Sequence, residues 1–277
     1  MARSLGPRRL VGTTMRILLL NPNTSADVTE LMLGVGRRAA SRDTELIGVT
    51  APRGVPYIAN EAEAILGAGV VLELLAEQGE GIDAAIIAAF GDPGLEGARE
   101  LFDMPVVGLA EAAMLTACML GRRFAIVTFA RALVPWYRAC VRAHGLSDRC
   151  ASINPLEGEF GTIAQVADEK GEALVALARR TVERDQADVL IFAGAPLSAL
   201  AARVADQLPV PVVDQVAAAV RQAETLAALH PTRPQRRLPP KATSGLPYAL
   251  AARIENSPDV SGANCFQPGT SSGANPP

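Results

Sequence analysis

The sequence predicts an α/β protein of two similar lobes, each a mainly parallel sheet flanked by helices. The lobes are related by an internal pseudo-twofold duplication, with the site between them. Three observations predict this. Short runs of small and β-branched apolar residues alternate with helix-length amphipathic stretches, the pattern of parallel strands joined by helical crossovers. Residues 83–95, DAAIIAAFGDPGL, run as a strand buried on both faces and then break into a Gly/Pro turn. Residues 186–198, QADVLIFAGAPLS, repeat that plan, with Asp188 standing 105 positions after Asp83. Two further blocks recur at nearly the same offset. MPVVGLAEAA, from Met104, returns as VPVVDQVAAA, from Val210, 106 residues on. ILLLNPNTS, from Ile17, returns as FAIVTFAR, from Phe124, with Asn21 and Thr128 standing 107 apart. Two copies make two lobes around one cleft rather than a solenoid.

Residues 1–14 carry three arginines and no apolar core like that of a signal peptide, and read as a flexible arm. Residues 15–120 form lobe one. A strand at 17–20 leads into the loop NPNTS, where Thr24 or Ser25 can cap a helix. Its Val28, Leu31, Met32 and Val35 fall at i, i+3, i+4 and i+7. A strand at 44–50 is followed by a Pro/Gly loop at 51–59, long enough to overhang a site. A helix at 60–78 ends at Gly79 or Gly81. The strand at 84–90, a short helix after Pro93, a strand at 105–108 and a helix opened by Glu111 complete the lobe.

Lobe two, residues 121–229, repeats the plan. It has a strand at 124–128, a helix at 131–144 ended by Gly145, and a strand at 150–154. A long helix from about 163 to 183 follows, then a strand at 189–192, a helix after Pro196, a strand at 210–213 and a helix from Asp214 to about 228. Residues 230–277 hold 9 of the 20 prolines among Ser, Gly and Asn, and read as a disordered tail.

Composition narrows the function. A net charge of −3 gives a nucleic-acid partner no electrostatic support. No apolar run approaches the ~18 residues that span a bilayer. The four cysteines show no framework spacing, as in a reduced, cytoplasmic protein. Aromatics at 4% argue against a stacking surface. No Gly-x-Gly-x-x-Gly or phosphate loop supports a nucleotide, and no cofactor is expected. His144 and His230 fall at a helix end and in the tail, which argues against a histidine triad or metal centre.

The carboxyl ends of the central strands converge on one cleft. They bring together Asn23 and Thr24; Ala89, Phe90, Gly91 and Asp92; Glu111; Thr128 and Arg131; Gly194, Ala195 and Ser198; and Asp214. Helices starting beside these residues aim N–H groups at the cleft and favour a carboxylate or polar carbonyl. A pseudo-twofold cleft can set equivalent groups on opposite faces of one carbon, as racemisation needs. Each residue also has a plain structural role: capping for Asn23 and Thr24, turn formation for Gly91, a solvated helix start for Arg131. Cys118 reads as core, Cys140 and Cys150 as peripheral structural thiols, and Trp136 and Tyr137 as packing.

NPNTS, FGDPGL with GLAEAA behind it, VTFAR and GAPLSAL together resemble the aspartate/glutamate/hydantoin racemase family, nearest its hydantoin and allantoin racemase branch, over residues 15–228. The resemblance implies cofactor-independent racemisation at a carbon next to a carbonyl, with one cysteine from each lobe as paired acid and base. It also implies a small ligand bearing a carboxylate or amide, and a homo-oligomer. It places the two cysteines at positions 89 and 194, which here are Ala89 and Gly194, and neither carries a proton. Asp92 and Ser198, beside the vacated positions, are the remaining catalytic candidates. Glu111 and Asp214 sit at helix starts, which makes a carboxylate a poor base. The substrate-binding set is Asn23, Thr24, Ala89, Phe90, Gly91, Glu111, Thr128, Arg131, Gly194 and Ala195. Three readings stay open: a racemase with replaced groups, a non-catalytic binding protein on the same frame, and a lyase or hydrolase that stabilises an enolate or oxyanion with the cleft's N–H groups.

Overall fold

The computed structural model describes residues 14–158, 165–229 and 240–255. In the first sheet, β1 (Met15–Asn21) lies between β2 (Thr44–Thr50) and β3 (Ala84–Ile87), and β3 pairs with β4 (Val106–Gly108). Every pairing is parallel, in the order β2-β1-β3-β4. The second sheet is built from β5 (Phe124–Thr128), β6 (Cys150–Pro155), β7 (Val189–Ala193) and β8 (Val212–Val213), in the order β6-β5-β7-β8. It too is parallel throughout. The duplication read from the sequence is therefore a duplication of topology.

Interior strands are apolar on both sides because helices cover both faces. Ala84 to Ile87 are all 0% exposed, while the edge strand β6 is half-buried along its length. The helices of the first half are α1 (Ala26–Ala39), α2 (Glu61–Gln78), α3 (Leu95–Leu101) and α4 (Leu109–Leu120). Those of the second are α5 (Val134–Ala143), α6 (Val166–Asp185), α7 (Leu200–Val204) and α8 (Gln215–Leu229). At the start of α2, Asn60 Oδ1 accepts the Glu63 N–H at 3.0 Å, and the Glu63 carboxylate accepts the Ala59 N–H at 2.6 Å.

Several boundaries differ from expectation for local reasons. The strand expected to reach residue 90 ends at Ile87; the Ala88 N–H still donates to the Leu20 carbonyl at 2.7 Å, and the chain then turns away. Helix α4 opens at Leu109, ahead of Glu111, because the Asp92 carboxylate accepts the Ala110 and Glu111 N–H groups at 2.8 Å each. Ser25 takes the N-cap position of α1 without a side-chain bond. The segment from Arg131 begins as a 3-10 turn, Arg131–Leu133, with Pro135 in the first turn of α5. Pro211 has no N–H to give a ladder, and β8 shrinks to two residues. The first residues expected in the long helix, 163 and 164, lie outside the described residues.

Helices α4 and α8 are equivalents under the duplication and pack side by side. Each also reaches across: α4 lies on β7 of the second sheet, and α8 on α1, β3 and β4 of the first. Helix α8, assigned to lobe two by chain order, thus builds the helical layer of lobe one. Its Val216, Ala219, Val220 and Ala223 are 0% exposed. Its Glu224 carboxylate accepts the Ser41 N–H at 2.7 Å and the Thr44 hydroxyl at 2.6 Å.

Residues 237–277 form a separate unit. Expected to be disordered, it holds a short helix, α9 (Tyr248–Ile254). YALAARI is rich in good helix formers, and Glu255 accepts bonds from the Thr243 N–H and hydroxyl. Residues 1–13, 230–239 and 256–277, which include most of the expected arm and tail, lie outside the described residues. Among the described residues, no helix is long and apolar enough to cross a membrane.

Candidate functional site

The order of each sheet reverses beside its first strand, so crevices open at the carboxyl ends of β1 and β3 and of β5 and β7. One cleft joins them, enclosing about 370 Å³ of space that is partly open to solvent. The first sheet supplies Asn23 after β1 and Ala89 and Phe90 after β3. The second supplies Phe129 after β5 and Gly194, Ala195 and Pro196 after β7. Val28 in α1 and Trp136 and Tyr137 in α5 complete the walls, and Pro56, Tyr57 and Ile58 overhang from the 51–59 loop. That loop is where the sequence placed it.

Five of the eleven aromatic residues in the chain meet here: Tyr57, Phe90, Phe129, Trp136 and Tyr137. Ring centroids lie 4.8 Å apart for Phe90–Tyr137, 5.6 Å for Trp136–Tyr137 and 5.8 Å for Tyr57–Phe129. The low aromatic content gave no sign of this cluster. Composition averages over the chain, whereas folding gathers these rings from four separate segments.

The polar lining is sparse. Asn21 donates through Nδ2 to Asn23 Oδ1 (3.0 Å), the Ser25 carbonyl (3.1 Å) and Thr29 Oγ1 (3.0 Å). The Ser25 N–H also donates to Asn23 Oδ1, at 2.9 Å. A backbone donor fixes that atom as the oxygen, which leaves Asn23 Nδ2 as a donor facing no acceptor among the described residues. Burial pushes the Tyr137 phenol well above its usual pKa, partly opposed by its bond with Thr128. Burial, reinforced by Glu63, raises Tyr57 as well. Tyr57 Oη is buried with no hydrogen-bond partner. Both phenols are therefore neutral near pH 7.

Of the thirteen residues expected at the site, Asn23, Ala89, Phe90, Gly194 and Ala195 line the cleft. Gly91 lies just behind it: at φ 123° its backbone suits glycine, and an added Cβ would run into the Trp136 indole. The others are turned elsewhere. Thr128 donates to the Ala193 carbonyl at 3.0 Å. The Thr24 N–H is tied to the Val55 carbonyl at 3.0 Å. Arg131 is an exposed residue paired with Glu157. Glu111 is clamped by Arg99. Ser198 is 2% exposed, with Oγ 3.5 Å from Gln215 Nε2. Asp214 caps α8 through the Val216 and Ala217 N–H groups.

Asp92 has the most altered setting. Its carboxyl is buried, bonded to the start of α4, and 3.2 Å from His144 Nε2. Burial raises its pKa, with the bonds from His144, Ala110 and Glu111 pulling the other way. The bond to Asp92 in turn raises His144, against its own partial burial. Cys140 Sγ belongs to the same cluster, within 4.8 Å of the other two donors. Cys140, read as peripheral, is buried, and His144, at the end of α5 as expected, meets the Asp92 carboxylate. Tyr137, Cys140 and His144 stand at i, i+3 and i+7, one face of α5, and that spacing was the available signal. A metal does not fit well here. Both Asp92 oxygens hold N–H groups of α4, and burial keeps the Cys140 thiol protonated.

Gln215 also escaped the sequence reading. Its Nε2 donates to the Gly194 carbonyl at 2.5 Å and its Oε1 accepts the Gly194 N–H at 3.3 Å, so it fixes the peptide at the back of the cleft.

These features define a class: a duplicated two-lobe α/β protein closing one small-molecule cleft at paired switch points. The chain belongs to the Asp/Glu/hydantoin racemase family, whose profile matches residues 17–223. It is 35% identical to a hydantoin racemase of Paenarthrobacter aurescens over 78% of this chain and 92% of that one. It is 34% identical to a hydantoin racemase of Pseudomonas sp. (strain NS671), over 78% and 87%. Its fold is similar to that of an allantoin racemase from Klebsiella pneumoniae, with a TM-score of 0.80 and 32% identity, covering 86% of this chain and 99% of that chain.

Proposed function

We propose that this protein binds a small hydantoin-type cyclic amide between its lobes without racemising it. One observation carries the reading. Positions 89 and 194, one from each sheet, both line the cleft, and they hold Ala89 and Gly194. Among the described residues, the only ionisable side chains in the lining are the phenols of Tyr57 and Tyr137, both raised and neutral. Racemisation needs a base on one face of the carbon and an acid on the other, each typically worth ~10²–10⁴ in rate. Asp92 and Ser198 take no part, since each is buried and bonded away from the lining. Aromatic walls with a few donors suit a flat ring carrying carbonyl oxygens.

The test is proton NMR in D₂O with 5-benzylhydantoin, allantoin, aspartate and glutamate, paired with thermal melts. The ring compounds should raise the melting temperature while the α-proton signal decays no faster than in a protein-free control. Exchange above that control would establish a working base and overturn the non-catalytic half. Absence of stabilisation by every compound would overturn the ligand assignment.

A further inference from the structure

Gly194 has φ 111°, a region that strains any residue with a Cβ. A Cβ built there would sit 2.6 Å from Phe129 Cε1, 3.3 Å from Phe129 Cδ1 and 3.4 Å from Tyr137 Oη. The Phe129 ring thus occupies the space into which a side chain at 194 would project. The two are alternatives, and this chain has taken the ring. Phe129 is 2% exposed and meets the Tyr57 ring, which the 51–59 loop lowers onto it.

Tyr57 contributes an unusual feature. Its hydroxyl is the buried side-chain polar atom left without a partner among the described residues. Such groups are rare because an unmade buried hydrogen bond costs more than a made one returns. An orphan hydroxyl on a residue lining a cleft is accounted for when a ligand supplies the acceptor. Since this phenol stays protonated, it offers an O–H donor.

We infer that Tyr57 and Phe129 are the specificity-determining pair of this cleft: the Tyr57 hydroxyl donates to a ring carbonyl of the ligand, and Phe129, seated over Gly194, sets the size of the substituent the ring can carry. This rests on the reading of the cleft as a cyclic-amide site. Asn23 Nδ2 is a second donor in the sparse polar lining. The rest of the wall is largely aromatic, and no cationic residue is among the described residues lining the cleft. Recognition therefore runs through neutral donors to carbonyl oxygens and through ring packing, with the substituent sorted by contact with Phe129.

The experiment is calorimetric titration of the full chain with 5-methylhydantoin and 5-benzylhydantoin. Tyr57→Phe should weaken both by about tenfold, the ordinary worth of one neutral hydrogen bond, and leave their ratio unchanged. Its unliganded melting temperature should equal or exceed that of the wild type, because no native bond is lost. Phe129→Leu, which keeps an apolar filler, should change the benzyl-to-methyl affinity ratio by about fivefold. Unchanged affinity in Tyr57→Phe, or a drop in its unliganded melting temperature, would overturn the role of the hydroxyl. An unchanged ratio in Phe129→Leu would overturn that of the ring. Wild-type protein that binds neither probe brings down the cyclic-amide reading itself, and this inference with it.

Discussion

The loop after β1 holds its shape with amides: Asn21 and Asn23 bind each other, Ser25 and Thr29. The matching segment after β5 does so with rings, Phe129 meeting Tyr57, and Tyr137 packing on Phe90 and Trp136. After β3 the cleft is bounded by Ala89 in ordinary backbone, and after β7 by Gly194 at φ 111°. Helix α4 is capped from a distance by Asp92, while α8 is capped by the adjacent Asp214. Both halves keep the same strand order, yet their side chains differ at each point that faces the cleft. The difference teaches that the pseudo-twofold survives where packing demands it. On the proposed reading, the side chains at positions 89 and 194 do not supply equivalent chemistry on two faces of one carbon.

The largest test of this asymmetry is to put the same side chain at the two equivalent positions. Ala89→Cys adds one sulfur at an unstrained site and should change stability by less than about 1 kcal/mol. Gly194→Cys combines overpacking against Phe129 with backbone strain and should cost about 4 kcal/mol in urea denaturation. On a Phe129→Ala background the added cost of Gly194→Cys should drop by about 1–2 kcal/mol, a coupling expected of residues in contact. Equal costs at 89 and 194 would erase the distinction between the lobes.

The caps give a second, smaller contrast. Asp92→Ala strips two N–H bonds from α4 and leaves His144 without its carboxylate partner, an expected loss of about 3 kcal/mol. Asp214→Ala removes the local cap of α8 together with the bond from the Ala199 N–H and should cost about 2 kcal/mol. Matching losses in thermal melts would show that the His144 contact contributes nothing.

The same asymmetry explains what the sequence could reveal. Strand order, crossovers and the residues at the strand ends follow from local patterns: buried apolar runs, Gly/Pro breaks and 3.6-residue spacing. Those patterns put Asn23, Ala89, Phe90, Gly194 and Ala195 in the cleft. Contacts between distant segments leave no such trace. Asp92 caps a helix 18 residues on and meets His144, 52 residues on, contacts that its place in the sequence beside position 89 does not show. Gln215 reaches back 21 residues to Gly194, and α8 crosses to the other sheet. Trp136 and Tyr137 were read as packing, and they are both packing and cleft wall.

The smallest effect expected is in pH. His144 has a folded pKa above its ordinary value, chiefly through its bond to Asp92. The stability it contributes is complete below pH 6.5 and is lost as pH rises through the folded value. Asp92 is raised too, by burial, so the folded protein also holds that proton more tightly and the two groups act in the same direction. They titrate as a pair. Opposite behaviour belongs to Asp185, held low chiefly by Arg184, and to Glu224, where bonds from Thr44, Ser41 and Arg221 outweigh burial. Their contributions fade only as pH falls below the usual carboxylate range, so the interval above pH 6 isolates the His144–Asp92 pair. Wild-type protein should exceed His144→Gln by about 1 kcal/mol at pH 6, after allowance for solvent screening, and the margin should close by pH 9. Urea titrations of both proteins at the two pH values check this. A margin that is flat across the interval would mean that His144 is held by packing alone, and the link joining α5 to the cap of α4 would carry no charge.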